Sequence, residues 1–482
     1  MKNLITLSFA FLLSTLIAYG QLDRIEKTID PLEAESHLRF LTSNELKGRD
    51  TGSEELLIAG RYIAEQFRRS GVTPLGDAED DYLQRVPLLN TTAASDATVD
   101  MVGQQFKLNA DLLVVSGSNT KISADLIYLE KLDDYKSTDV SGKVIVTVLG
   151  DNGFNVSGKS LQDAGAVGLV QIYRPGWRYP WPLIANYLNR SKMALGSSEK
   201  EEGLLPHIWI NDTAKVYVNR IKESSDKAIE MEIKGISEDP VKAFNIVGKI
   251  EGTDPKLKNQ HIVMTAHYDH VGIQKSQDPD SIYNGTRDNG IGTTGVINAA
   301  KYFGKNPPKR SIIFIALTGE EKGLLGSSYY VDNPKIPLEE TVMNLNIDNS
   351  GYTDTEYITL LDSNRTNIDE MIYQAAEEVG LKVMGDRIPD QNYYERSDQV
   401  SFAKKGVPAI NFKMSMEAFD ERISKYYHRP SDEFHTVDLE YIHKYWKAYI
   451  RAAELIGNWK KTPYWIEGDK FESAGDELYG KN

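Results

Sequence analysis

Residues 311–323 read SIIFIALTGEEKG. The first seven, Ser311–Leu317, form a short continuous apolar run, as expected of a strand covered on both faces. Such a strand belongs in a sheet with helices on either side. The run then turns polar and delivers two adjacent glutamates, Glu320 and Glu321. Two carboxylates side by side at the end of a buried strand repel each other unless positive charge lies close. A bound cation removes the conflict if one carboxylate ligates it. The other then stays free to take and return a proton.

The same pattern recurs on both sides of this stretch. His261–Ala266 reads as an apolar strand and is followed by His267. Val342–Ile347 is followed by Asp348, and Val407–Phe412 precedes a loop that carries His428. Tyr357–Leu361 adds a further strand, and helical spacing predicts helices over Ile291–Phe303, Thr366–Val379 and Leu439–Trp459. Strand–loop–helix alternation predicts an α/β fold with a mixed, largely parallel central sheet flanked by helices. Four strands thus release candidate ligands at their carboxyl ends, the edge where open α/β sheets bind ligands. Asp288, in TRDNG before a helix, has two readings, a helix N-cap or a carboxylate shared by two ions.

His267, Asp288, the Glu320–Glu321 pair, Asp348 and His428 offer oxygen and imidazole donors and no sulfur. That set suits Zn2+, with Mn2+ or Co2+ as alternatives. A shared carboxylate would hold two ions roughly 3.5–4 Å apart, an arrangement for hydrolysis by activated water. Asp269 lies two residues from His267, where a carboxylate can hydrogen-bond the second ring nitrogen and fix the tautomer. His270 is ambiguous and close enough to stand behind the ligands. His37, His207, His261, His435 and His443 are read as structural or solvated.

The chain has 482 residues, a net charge of −15 and no cysteine. The acidic balance argues against nucleic-acid and anionic-membrane partners. Without cysteine there is no disulfide and no thiolate metal site. Residues 1–20 read as a signal peptide: Lys2, a short apolar stretch over Leu4–Ile17, then Ala18-Tyr19-Gly20. An exported protein, periplasmic or secreted, with no stable membrane insertion after cleavage, is expected. Residues 21–92 read as the mainly helical first part of the main domain, with a helix-ending Gly71. Residues 93–240 read as a small β-rich insert with strands near 112–115, 125–129, 143–149 and 168–173. Residues 241–482 read as the main part, with a loosely ordered tail after about Lys470. Asn155 and Asn284 begin Asn-x-Ser/Thr sequons. An aromatic, Pro-containing loop, Trp177–Tyr187, is a local packing cluster or a substrate wall.

Taken in order, AHYDH, TRDNG, TGEEKG, NIDNSG and YHRPSD resemble the co-catalytic zinc peptidases of metallopeptidase family 28. That family includes secreted leucine-type aminopeptidases, glutamate carboxypeptidases and glutaminyl cyclases. Residues 37–72 are similar to its N-terminal segment, and residues 140–173 to a protease-associated domain. Ser397-Asp398 and the segment from Phe402 to Asn411 are similar to the family's approach to its last histidine. The resemblance implies a zinc-exopeptidase-like three-layer sandwich with an inserted protease-associated domain. It implies that His267 and Asp348 bind one zinc, Glu321 and His428 the other, and that Asp288 bridges them. It further implies Glu320 as general base and Asp269 as the acid that orients the site. Thr286-Arg287 departs from the family's usual residues before the bridging acid. Family 20 shares the ligand order but places a large domain between its last two ligands. The Asp348–His428 gap leaves no room for one.

The resemblance implies an aminopeptidase acting on peptides with a free terminus. A carboxypeptidase or dipeptidase is the alternative, with Arg287, Arg396 and Arg429 as cations for a terminal carboxylate. A glutaminyl cyclase and a non-enzymatic binding protein are the remaining alternatives. Trp177–Tyr187 and Asn392-Tyr393-Tyr394 are candidate pocket walls.

Overall fold

A computed structural model describes residues 22–151, 153, 156–196, 205–274, 280–361 and 363–480. The expected signal peptide, residues 1–20, and the Asn155 sequon lie outside the described residues. The chain divides into two compact units, one up to Pro87 and from Lys242 onward, the other Leu88–Val241.

In the first unit the sheet runs in the order Lys382–Gly385, Tyr357–Leu360, Ala409–Met414, Thr341–Asn346, His261–His267, Ser311–Leu317, Glu238–Ile250. Ser311–Leu317, His261–His267, Thr341–Asn346 and Ala409–Met414 are mutually parallel where they pair. Tyr357–Leu360 is antiparallel to Ala409–Met414, and Glu238–Ile250 is antiparallel to Ser311–Leu317. The sheet is therefore mixed with a parallel centre. Its central strands are buried along their whole length, which is why they read as unbroken apolar runs.

Alternate residues feed two cores. Ile262, Met264, Ile312, Phe314, Met343 and Leu345 join one cluster with the helices Pro31–Leu41, Glu54–Arg69, Ile291–Lys305 and Leu439–Asn458. Val263, Ile313, Ile315 and Leu317 join another with Leu325–Asp332 and Gln399–Lys404. Period-two side-chain alternation in strands sends neighbours to opposite faces. Ser53 and Asp438 cap two of the helices by accepting from Leu56 N and Tyr441 N. Gly71 follows Glu54–Arg69 at φ 73°, a left-handed conformation suited to glycine just past a helix end.

The tail expectation is corrected. Glu472–Leu478 is helical, and buried Phe471 packs on Trp465 at 5.4 Å between ring centres. The segment is anchored by aromatic burial, which its polar composition concealed.

In the second unit the sheet order is Gln104–Lys107, Asp96–Met101, Ala228–Lys234, Thr120–Tyr128, Lys143–Val148, Gly168–Tyr173, His207–Asn211, Leu112–Ser116. Thr120–Tyr128 through His207–Asn211 are parallel neighbours. The aromatic segment is only partly a loop. Trp181–Leu188 is a helix with Pro182 in its first turn, where a missing N–H costs nothing. Trp177 packs on Trp209 at 5.3 Å and Trp181 on Tyr173 at 5.2 Å. Both tryptophans thus serve this unit's own core, while Tyr179 and Tyr187 are exposed.

Candidate metal centre

The parallel register brings the strand ends level. His267 pairs with Leu317, and Thr265 with Asn346. His267 therefore ends its strand beside the turn that carries Glu320 and Glu321, with Asp348 just beyond the neighbouring strand. Asp288 sits in the non-helical turn Thr286–Gly290 that feeds Ile291–Lys305, and its peptide to Asn289 is cis. His428 lies in the loop after Ala409–Met414.

These side chains converge. His267 Nε2 is 3.2 Å from Asp288 Oδ1 and 3.5 Å from Asp348 Oδ1. His428 Nε2 is 3.2 Å from Asp288 Oδ2 and 3.2 Å from Glu321 Oε2. Each oxygen of Asp288 thus faces a different imidazole. The helix-cap reading of Asp288 is set aside, because Asn289 Oδ1 accepts from Gly292 N at 3.1 Å. The cap is the next residue, which leaves Asp288 free.

Asp269 does not act as expected on the His267 ring. Its carboxylate oxygen is 3.8 Å from His267 Nδ1, while its main-chain carbonyl oxygen lies at 3.1 Å. The carboxylate is engaged elsewhere: Oδ2 accepts from Thr51 Oγ1 at 2.8 Å and Oδ1 from Glu320 N at 3.3 Å. Asp269 therefore ties the backbone of the Glu320 turn to the His267 strand. His270 resolves to a definite place, with Nδ1 2.7 Å from Glu321 Oε1.

The electrostatics follow from burial and crowding. Burial opposes charge on His267, but Glu320, Asp288 and Asp348 outweigh it and hold the imidazolium well above the usual range. His428 is likewise raised against burial, by Asp288 and Glu321, to about 10. Burial raises Asp288 and Glu321, yet the facing imidazoles draw Asp288 well below its usual value and Glu321 to about 2. Glu320 goes the other way: burial first, then Asp348, Glu321 and Asp398, push it well above the carboxylate range against the pull of His267. The centre therefore demands positive charge at its imidazole nitrogens, and one carboxyl is set apart from the rest.

Metal ions fit that demand. His267 Nε2 is fully buried and lacks a hydrogen-bond partner, although carboxylate oxygens surround it. Two donor groups lie within coordinating reach: His267, Asp288 and Asp348, and His270, Asp288, Glu321 and His428. Asp288 belongs to both. Nitrogen and oxygen donors without sulfur suit a borderline divalent ion such as zinc.

Several positioning residues carry no obvious sequence signal. Arg49 is buried, and its guanidinium donates to the carbonyls of Leu41, Tyr268 (2.8 Å), Asn284 (2.7 Å) and Gly285 (3.2 Å). It clamps the turn before Asp288 to the residue after His267. Gly285 has φ 59°, and a Cβ there would run into the Asp288 carbonyl and the His270 ring. Asn284 is 1% exposed, so its sequon offers no glycan site. Asn411 brackets Asp348, accepting from its N–H at 3.2 Å and donating to its carbonyl at 3.3 Å. Arg287, a candidate carboxylate binder, is buried and paired with Asp432 at 2.8 Å.

An imidazole–carboxylate cluster at the carboxyl edge of such a sheet defines a metal-dependent hydrolase. Residues 245–453 match the profile of peptidase family M28, and the protein is a metallopeptidase. Among curated proteins, aminopeptidase YwaD of Bacillus subtilis (strain 168) is 26% identical over 353 residues, 70% of this chain and 68% of that protein. Leucine aminopeptidase 2 of Arthroderma otae is 26% identical over 336 residues, 67% of this chain and 61% of that protein. The solved aminopeptidase from Aneurinibacillus sp. strain AM-1 superposes with a TM-score of 0.58 at 19% identity, covering 92% of this chain and 97% of that one. It shares the fold.

Proposed function

We propose that the protein is an exported aminopeptidase that works with two zinc ions and removes N-terminal residues from peptides. The observation that carries this reading is Asp288, whose two oxygens each stand 3.2 Å from the Nε2 of a different histidine. The names of the relatives, aminopeptidases in both cases cited, support the choice of terminus.

When bound, the ions supply Lewis acidity to the scissile carbonyl and to water. His267 and Asp348 would hold one ion, Glu321 and His428 the other, and Asp288 both. His270 steadies Glu321. Glu320, the buried carboxyl with a raised proton affinity, takes a proton from the attacking water and passes it to the departing amine. Asp269 positions it by holding the Glu320 N–H. The carboxylates of the cleft attract the substrate's free ammonium. The carboxypeptidase alternative loses one of its cations, because Arg287 is occupied by Asp432 and Thr436. Leu88–Val241 is assigned as the protease-associated domain, and residues 1–20 as the export signal. No helix among the described residues is long and apolar enough to cross a membrane.

Metal analysis of the purified protein should return close to two zinc ions per chain, and chelation should abolish hydrolysis. One ion with full activity would remove the shared-carboxylate centre. A peptide panel with each terminus blocked in turn should show hydrolysis lost on N-acetylation and kept on C-terminal amidation. The opposite pattern would establish the carboxypeptidase reading instead. N-terminal sequencing of exported protein should begin near Gln21.

A further inference from the structure

The cleft at the metal centre contains no aliphatic or phenylalanine side chain among its described lining residues. A preference for leucine-type side chains requires apolar walls. Here the wall beyond the candidate ligands is built from Ser350, Tyr393, Arg396, Lys413 and Tyr427, together with Ser397 and Asn411. Two of these are cations. Lys413 is 2% exposed, and its Nζ donates to the Asp348 carbonyl at 3.1 Å and to Ser350 Oγ at 3.4 Å. An ammonium has three hydrogens, so one remains. Arg396 is exposed and leans on the same ring as Lys413: its guanidinium is 5.1 Å from the Tyr393 centroid, the Lys413 ammonium 5.3 Å.

Among the described residues neither cation forms an ion pair, in a chain whose net charge is −15. Burying an ammonium without a counter-ion is costly. The acids closest to Lys413 are the candidate metal ligands, and bound ions would neutralise them. Lys413 and Arg396 then face the cleft with their charge uncompensated. Lys413 is bonded to the main chain of Asp348, so its ammonium lies beside a candidate metal ligand.

We infer that this cleft selects peptides whose N-terminal residue carries an acidic side chain, aspartate or glutamate, held by Lys413 and Arg396. The inference rests on the aminopeptidase reading. The side-chain carboxylate of that N-terminal residue goes to the two cations. A leucine side chain finds no apolar surface there, and a lysine side chain meets like charge.

The test uses the full zinc-loaded protein and p-nitroanilides of Glu, Asp, Leu and Lys, with N-acetyl-Glu p-nitroanilide as control. Charge-assisted hydrogen bonds of this kind correspond to roughly ten- to a hundredfold in kcat/KM. Glu or Asp should exceed Leu by at least about tenfold on that ground. Arg396→Glu, at an exposed position, should lower the Glu/Leu ratio by about tenfold and raise hydrolysis of the Lys substrate, with zinc content unchanged. Lys413→Met should also lower the Glu/Leu ratio. Independently of turnover, free L-glutamate should raise the unfolding temperature more than L-leucine does. Leu hydrolysed as well as or better than Glu, with a ratio indifferent to Arg396→Glu, would overturn the inference while leaving the aminopeptidase reading intact. Hydrolysis confined to N-acetylated substrates would overturn both.

Discussion

Glu320 is the residue on which turnover is expected to depend. It is buried among carboxylates, and its proton affinity is raised while that of Glu321, its neighbour, is depressed to about 2. Two chemically identical side chains are thus driven apart by what faces them, which separates a proton carrier from a ligand. Glu320→Gln should keep its zinc, because Glu321 and not Glu320 belongs to the donor groups of the centre, and should lose roughly 10²–10⁴-fold in kcat, the usual worth of a general base. Metal content and kcat measured on one preparation check this; near-normal turnover would remove Glu320 from the role. Thr51→Val, which takes a donor from the carboxylate that anchors the Glu320 N–H, should lower kcat by a smaller factor and leave zinc in place. The ligand types and their order were legible in the sequence because each acid or histidine stood at the end of an apolar run. The partner of Asp269 was not. Sequence proximity to His267 suggested a ring contact, but a carboxylate has two oxygens and tertiary structure supplied both with other donors. Lys413 was equally hidden, since one lysine in an apolar strand carries no mark of the cleft it lines.

At the level of elements, the strand ends do the positioning, and the sequence announced them. SIIFIAL reads as a buried strand because helices cover both faces, and the same physics marks His261–His267, Thr341–Asn346 and Ala409–Met414. Long-range clamps between elements leave no such periodic signal. Arg49 is the plainest case: it follows a short 3-10 turn, and its four carbonyl partners lie in three separate stretches of chain. Removing the guanidinium strands those carbonyls, and burial already makes the charge hard to hold, lowering its pKa to about 10. Arg49→Met should destabilise the fold by at least about 1–3 kcal/mol, the cost of leaving a buried acceptor unsatisfied. It should also loosen the turn that carries Asp288. Arg49→Lys should recover only part of this, since one ammonium cannot span four acceptors arranged for a planar fork. Denaturant midpoints with zinc retention measured alongside check both variants, and a methionine variant of unchanged stability would show that the clamp is dispensable.

For the molecule as a whole, the histidines outside the metal centre set how it responds to acid. His37, His207 and His261 are all buried, as their reading as structural or solvated residues allowed, and burial pulls their pKa values down to about 4, 3 and 4. In the unfolded chain they titrate near 6.5. Between those values the unfolded chain binds protons that the folded one refuses. Stability contributed by their neutrality is therefore fully present above about pH 6.5 and is lost as pH falls toward the folded values. His267 and His428 oppose this trend in the metal-free protein, because their folded values are raised. His207 isolates the effect, since it lies in the Leu88–Val241 unit and its ring bonds among the described residues fall within that unit, Nε2 lying 2.8 Å from Gln171 Oε1 and accepting from Trp209 Nε1 at 3.0 Å. A fully separated histidine changes stability by about 1.4 kcal/mol per pH unit. Calorimetry of the zinc-loaded protein from pH 7 to 4.5 should show the transition of that unit falling with acidification, and His207→Gln should flatten the slope by about that amount per unit. Zinc loss on acidification, driven by protons competing for His267 and His428, should appear as a separate change, read by metal analysis, that His207→Gln leaves untouched. Identical slopes in wild type and His207→Gln would show that the buried His207 ring accepts its proton inside the fold and that acid acts on this unit through other groups.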